Sequence, residues 1–233
     1  MKDHNDVVKF FIFGDSISVG QGVSINHGWV FHAARDIEYL NQKYNLNILV
    51  ANSSINGNTT RQALERMPYD IQSHGVDVLS IQFGLNDCNF WDTDKGLPRV
   101  SPQAFKANLE EIIARGKVFG AKSILLHTNH PTLRDRILYH SKTKYQSYDE
   151  NNKLYSQIIR DIAEGTQGVT LIDIEQIFHS QYKNHSRSLE ELLLPDGLHL
   201  SVLGHDLYYK TIKPYINEVL NNVIKKEAYT VVE

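Results

Sequence analysis

The chain has 233 residues, 41% of them hydrophobic and 22% charged, which is enough for one large globular domain with its own apolar core. Its 24 Lys and Arg against 27 Asp and Glu leave a formal charge of −3, so it lacks the basic excess that a phosphate backbone demands, and nucleic acid is not expected as a partner. Cys88 is the single cysteine, which excludes an internal disulfide and a thiolate zinc cluster.

No apolar run approaches the ~18 residues of a membrane span, so none is expected. The opening residues Met1 to Asp6 are mixed in charge and lack the basic start of a secretion signal, which points to a cytoplasmic location. No repeat, low-complexity tract or Pro/Ser-rich linker divides the sequence, so residues 1–233 read as a single domain.

In chain order, short β-branched or aromatic runs alternate with longer amphipathic stretches. Strands are expected at 7–13, 48–51, 76–83, 123–127 and 169–172, and helices at about 28–42, 60–72, 102–119, 148–164 and 204–223. Pro102 after Ser101 suits a helix start. Five buried strands, each followed by a helix, imply an α/β fold with a parallel sheet covered on both faces. Function in such folds gathers at the carboxyl ends of the strands. Residues 131–146 break the pattern with Arg134, Arg136, Tyr139, His140, Lys142, Lys144 and Tyr145. They read either as a long loop over the active face, with room for a short helix, or as a solvated surface insertion.

Directly after the first strand comes Gly14-Asp15-Ser16-Ile17-Ser18, which sets a hydroxyl at a strand end, on a turn whose amides can face an oxyanion. The ordinary alternative is that Asp15 and Ser16 only cap the turn. Serine is a poor nucleophile without a base, so the chemical reading needs a histidine held by a carboxylate. Asp196 and His199, three residues apart in the loop before the last helix, offer that pair locally. A turn in which Asp196 and Ser201 merely cap would have the same sequence. Two further strand-end segments offer hydrogen-bond donors: the backbone N–H of Gly57 in the loop after the second strand, and the side-chain amide of Asn86 in Gly84-Leu85-Asn86-Asp87 after the third.

Gly14-Asp15-Ser16, Gly57, Gly84-x-Asn86-Asp87 and Asp196-x-x-His199 together resemble the four signature blocks of the SGNH hydrolases, the GDSL esterase/lipase superfamily. Ile17 stands where the family name has Leu, and His127-Thr128-Asn129-His130-Pro131 replaces the adjacent prolines that many members carry after the fourth strand. The resemblance implies a flavodoxin-like three-layer α/β/α sandwich with a five-stranded parallel sheet, and no metal or organic cofactor. It implies Ser16 as nucleophile, His199 as general base and then acid, Asp196 as its orienting carboxylate, and an oxyanion hole from the Ser16 and Gly57 amides and the Asn86 side chain.

The expected activity is that of a serine esterase on a small or medium carboxylic ester, through an acyl-enzyme. The polar, cationic character of residues 130–142 leans towards an O-acylated carbohydrate. The alternatives are a lysophospholipase- or thioesterase-type lipid hydrolase, an acyltransferase using the same serine, and a binding module without turnover. Asp15, Phe90, Trp91 and His130 are candidate substrate contacts, although Phe90 and Trp91 suit the core equally well. His127 and His130 lack the spacing and companions of a metal site. Asp173, at the end of the fifth strand, is the rival acid for His199, and Cys88 reads as a packed small residue.

Overall fold

A computed structural model describes residues 7–137, 147–183 and 187–229. Its elements run β1 (Val8–Gly14), α1 (Ser16–Val19), α2 (Trp29–Tyr44), β2 (Ile48–Asn52), α3 (Thr60–Asp70), β3 (Val78–Gln82), α4 (Pro102–Val118), β4 (Ser123–His127), α5 (Arg134–Ile137), α6 (Tyr148–Gly165), β5 (Val169–Ile172), α7 (Ile174–Lys183), α8 (Leu189–Leu192) and α9 (Val202–Tyr229). The five strands form one all-parallel sheet in the order β2-β1-β3-β4-β5.

The continuous apolar run of β1 explains its central place. A strand covered by helices on both faces cannot alternate, and Phe10, Ile12 and Phe13 have no exposed surface. Phe10 pairs with Val50 of β2 on one side and Val78 of β3 on the other. From β1 the chain moves outward to β2, then crosses back to β3 on β1's other flank. This reversal opens a crevice at the carboxyl ends of β1 and β3, where ligands of open α/β sheets bind. Helix α2 packs on α9, α3 on α4, and α4 on α6, which encloses the sheet.

Local signals position the helices. Ser101 caps α4 by accepting from the Ala104 amide at 3.3 Å, with Pro102 in the first turn. Reciprocal capping boxes start α3 (Thr59 with Gln62) and α6 (Ser147 with Glu150). Helix α9 begins at Val202 and runs to Tyr229, longer than expected at both ends. Helices α7 and α8 were not anticipated. In α7 the apolar positions Ile174, Ile177 and Phe178 recur at helical spacing, and Asp173 caps them by accepting from the Gln176 amide at 3.1 Å.

The segment expected to be a polar loop differs at its start. Pro131, Thr132 and Leu133 are buried, and α5 follows at once. Tyr139, His140, Lys142, Lys144 and Tyr145 lie outside the described residues. No helix among the described residues is long and apolar enough to cross a membrane.

Candidate active site

At the carboxyl end of β1 the backbone turns sharply into α1. A Cβ on Gly14 would stand 2.7 Å from Ser18 Oγ and 2.9 Å from the Gln82 carbonyl of the neighbouring strand, so this turn admits only glycine. Asp15 caps the helix, Oδ1 accepting from the Ile17 amide at 3.0 Å. Ser16 is the first helical residue, and its N–H has no partner among the described residues. The ordinary reading of Asp15 as a cap and the special placing of Ser16 thus hold together.

From 183 positions further along the chain, His199 brings Nε2 to 3.0 Å from Ser16 Oγ. Its Nδ1 lies 2.5 Å from Asp196 Oδ2, while Asp196 Oδ1 accepts from the Leu198 and His199 amides at 2.9 and 3.0 Å. Burial pushes the Asp196 carboxyl up, but the His199 imidazole and these two amides outweigh it and hold the group below the usual carboxylate range. An ionised Asp196 can only accept, so His199 Nδ1 donates to it and Nε2 faces Ser16 Oγ. The loop is secured by Leu194 donating to the His199 carbonyl (2.7 Å) and Leu133 to that of Gly197 (2.8 Å). The buried start of the 131–146 segment is thus bonded directly to the histidine loop.

Asp173 faces elsewhere. Arg160 donates to both its oxygens at 2.8 Å, and Thr128 Oγ1 donates at 3.1 Å. The carboxylate beside His199 is that of Asp196.

Gly57 adopts φ +75°, a left-handed conformation that favours glycine, and its N–H has no partner among the described residues. Its carbonyl accepts from Arg99 Nη1 at 3.2 Å. Asn86 is already engaged: Nδ2 donates to Asp15 Oδ2 at 3.2 Å and to the Asn58 carbonyl at 3.1 Å. It thereby ties the residue before the serine to the residue after Gly57. Asp87 accepts at Oδ1 from the Thr60 amide (2.9 Å) and hydroxyl (2.5 Å). Burial pushes its carboxyl up to about 6 and that of Asp15 up to about 7.

Three of the four expected substrate contacts are corrected. Asp15 has no exposed surface and touches Asn86 and the Ile17 amide. His130 is 1% exposed, with Nδ1 against the Pro131 carbonyl and its ring stacked on Phe178, and burial pushes its pKa down to about 4. Phe90 is buried as well. Trp91 is 59% exposed, with the Arg99 guanidinium 5.7 Å from its ring centroid. These two residues, with Thr59, Gln62 and Leu97, line a groove of about 730 Å³ that starts two residues beyond Gly57. His127 bonds Ser80 (2.9 Å) and Tyr208 (2.7 Å), turning to partners that His130 does not share. Burial holds the Cys88 thiol well above its usual range.

Sequence reasoning missed Arg66. It donates to the carbonyls of Ser53 (2.5 Å) and Gly14 (3.2 Å) and to Asn58 Oδ1 (2.7 Å), and its guanidinium lies 4.4 Å from the Phe13 ring centroid. It fastens the turn before Ser16 to the loop that carries Gly57. It also pairs with Asp70 one helical turn on, at 2.5 Å, but no motif marks its reach to the Ser53 and Gly14 carbonyls, 13 and 52 residues away.

An uncharacterised lipoprotein of Bacillus subtilis, YqeF, is 26% identical over 91% of this chain and 89% of its own length. An arylesterase of Vibrio mimicus is 28% identical, over 53% of this chain and 56% of that one. The chain thus spans only about half the length of the arylesterase. Among solved structures, the lipase/acylhydrolase from Enterococcus faecalis superposes with a TM-score of 0.70 at 22% identity, covering 92% of this chain and 96% of that one. The acetylxylan esterase Axe2 from Geobacillus stearothermophilus gives 0.68 at 22% identity, over 90% and 94%. Both share the fold. The family described as GDSL-like lipase/acylhydrolase matches residues 12–207, so the chain belongs to that family and is a carboxylic ester hydrolase.

Proposed function

We propose that this chain is a single serine-esterase domain in which Ser16, His199 and Asp196 act as the catalytic triad. The observation that carries the reading is the continuous hydrogen-bonded relay from Ser16 Oγ through His199 to the Asp196 carboxylate. In the first half-reaction Ser16 Oγ attacks the ester carbonyl and its proton passes to His199 Nε2. The carbonyl oxygen becomes an oxyanion that the unpartnered Ser16 and Gly57 amides, joined by Asn86, stabilise. His199 then protonates the leaving alcohol, and an acyl group remains on Ser16. Water repeats the sequence, its proton going to His199 and then back to Ser16 as the carboxylic acid departs. No step draws on a metal or organic cofactor.

The substrate reading is a small acyl group on a polar, carbohydrate-like alcohol. Its earlier basis changes, because His130 is buried and Tyr139 and Lys142 lie outside the described residues. The support is now the groove beside Gly57, where an exposed indole under a guanidinium offers a flat stacking face ringed by hydrogen-bond donors. Fold-level likeness to an acetylxylan esterase adds nothing to this argument. The cytoplasmic location expected from the first residues gains no support from YqeF, which is named a lipoprotein.

The test is a chain-length series of chromogenic esters, acetyl through palmitoyl, run beside O-acetylated sugars on the wild type and Ser16→Ala. Acetyl preference with loss of activity in Ser16→Ala supports the proposal. Activity rising with chain length removes the carbohydrate reading, and full activity in Ser16→Ala removes the mechanism.

A further inference from the structure

Asn86 Nδ2 carries two protons, and both are taken: one by Asp15 Oδ2, the other by the Asn58 carbonyl. At 3.2 Å the first sits at the long, weaker end of the N–H···O range. An oxyanion in the site can therefore share that proton. The other oxygen of Asp15 is committed to the Ile17 amide in the turn that presents Ser16. The whole group is sealed from solvent. One buried side chain thus joins the nucleophile's turn to the side-chain donor of the oxyanion site, and no other described residue bonds both.

From this geometry we propose that Asp15 is a positioning residue for ester hydrolysis, its Oδ2 setting the Asn86 amide at the oxyanion site while its Oδ1 sets the turn of Ser16. The inference rests on the serine-esterase reading. Asp15 acts through Asn86 and touches no reacting atom.

Asp15→Asn separates the two duties. Asparagine caps a helix as well as aspartate and keeps an acceptor for the Ile17 amide, but its NH2 group cannot accept from Asn86. At pH 8, above the value of about 7 to which burial pushes the wild-type carboxyl, hydrolysis of a small chromogenic ester should lose roughly 10- to 100-fold in kcat with KM little changed. In an Asn86→Ala background the same change should cost less than about 2-fold, because its target is already gone. Wild-type kcat in Asp15→Asn, or losses that multiply in the double variant, would overturn the proposal. Should Asp15→Asn fail to fold, Asp15→Ser keeps one capping oxygen and carries the same expectations. On the wild-type protein, the Asn86 side-chain protons should exchange slowly with solvent, and fast exchange of both would also overturn it. Full activity in Ser16→Ala would sink the esterase reading itself, whereas an inactive Ser16→Ala beside a normal Asp15→Asn would sink only the role of Asp15.

Discussion

At the carboxyl ends of β1 and β3, Asp15, Ser16 and Asp87 are at most 5% exposed, and each has a hydrogen bond to a residue far away in the chain. A few residues beyond Asp87, Trp91 and Leu97 leave 59% and 70% of their surface in solvent, on a segment tied down chiefly by backbone bonds such as Val100 to the Asp87 carbonyl. The first region is over-determined, as groups that must meet within tenths of an ångström require. The second is an adaptable wall. The contrast teaches that reaction and recognition are encoded at different densities: changes in the floor should act on kcat, and changes in the groove on KM.

The largest expected effect is in the floor. Ser16→Ala should lose ~10⁶ in kcat, and Asn86→Ala ~10²–10³, both read by steady-state hydrolysis of a small chromogenic ester. Asp196→Asn should lose ~10⁴, because an amide no longer fixes the His199 proton on Nδ1. Asp173→Ala sharpens the assignment: it removes the cap of α7 and one of the two carboxylate partners of Arg160, costing about 1–2 kcal/mol in denaturant unfolding while kcat stays near wild type. A collapse of kcat in Asp173→Ala with Asp196→Asn unaffected would reverse the two roles.

In the groove, Trp91→Ala should raise KM for an O-acetylated oligosaccharide by roughly 3- to 10-fold, in line with ~0.5–1.5 kcal/mol for an aromatic contact, and leave kcat on a small acetyl ester unchanged. A matching loss of kcat on both substrates would erase the distinction between floor and wall.

The last effect is read in stability rather than in rate, and it depends on pH. The buried Asp87 carboxyl titrates near 6 when folded against 3.8 otherwise, so the folded state favours its proton. Its contribution is most favourable below 3.8 and is lost as pH rises through 6. Asp87→Asn stays neutral and keeps an acceptor for Thr60. It should be more stable than wild type at pH 8, by about 3 kcal/mol, with the gain vanishing below about pH 4. A gain independent of pH would place its origin outside this titration.

Much of this was legible in the residues alone. The five strands announced themselves by apolar runs of strand length, and Ser16, Asp196 and His199 by short motifs at strand ends and before the last helix. What was not legible depends on distant partners. Phe90 and Trp91 are adjacent aromatics, and only tertiary packing buries one and exposes the other. His130 follows a strand as a site residue would, yet it stacks on Phe178 of a helix that went unseen. Arg66 carries no signature because two of its four acceptors are backbone carbonyls 13 and 52 residues away, which only the fold brings to it. Asp15 looked like a substrate contact because its sequence position cannot tell a group facing the pocket from one sealed beneath it.

The most direct measurement of the central claim is intact-mass and peptide mapping after treating the folded protein with a serine-directed fluorophosphonate. One adduct, on Ser16, that disappears in His199→Ala is the predicted result. No adduct on the folded wild type, or one that forms as readily without His199, would contradict the relay on which the account stands.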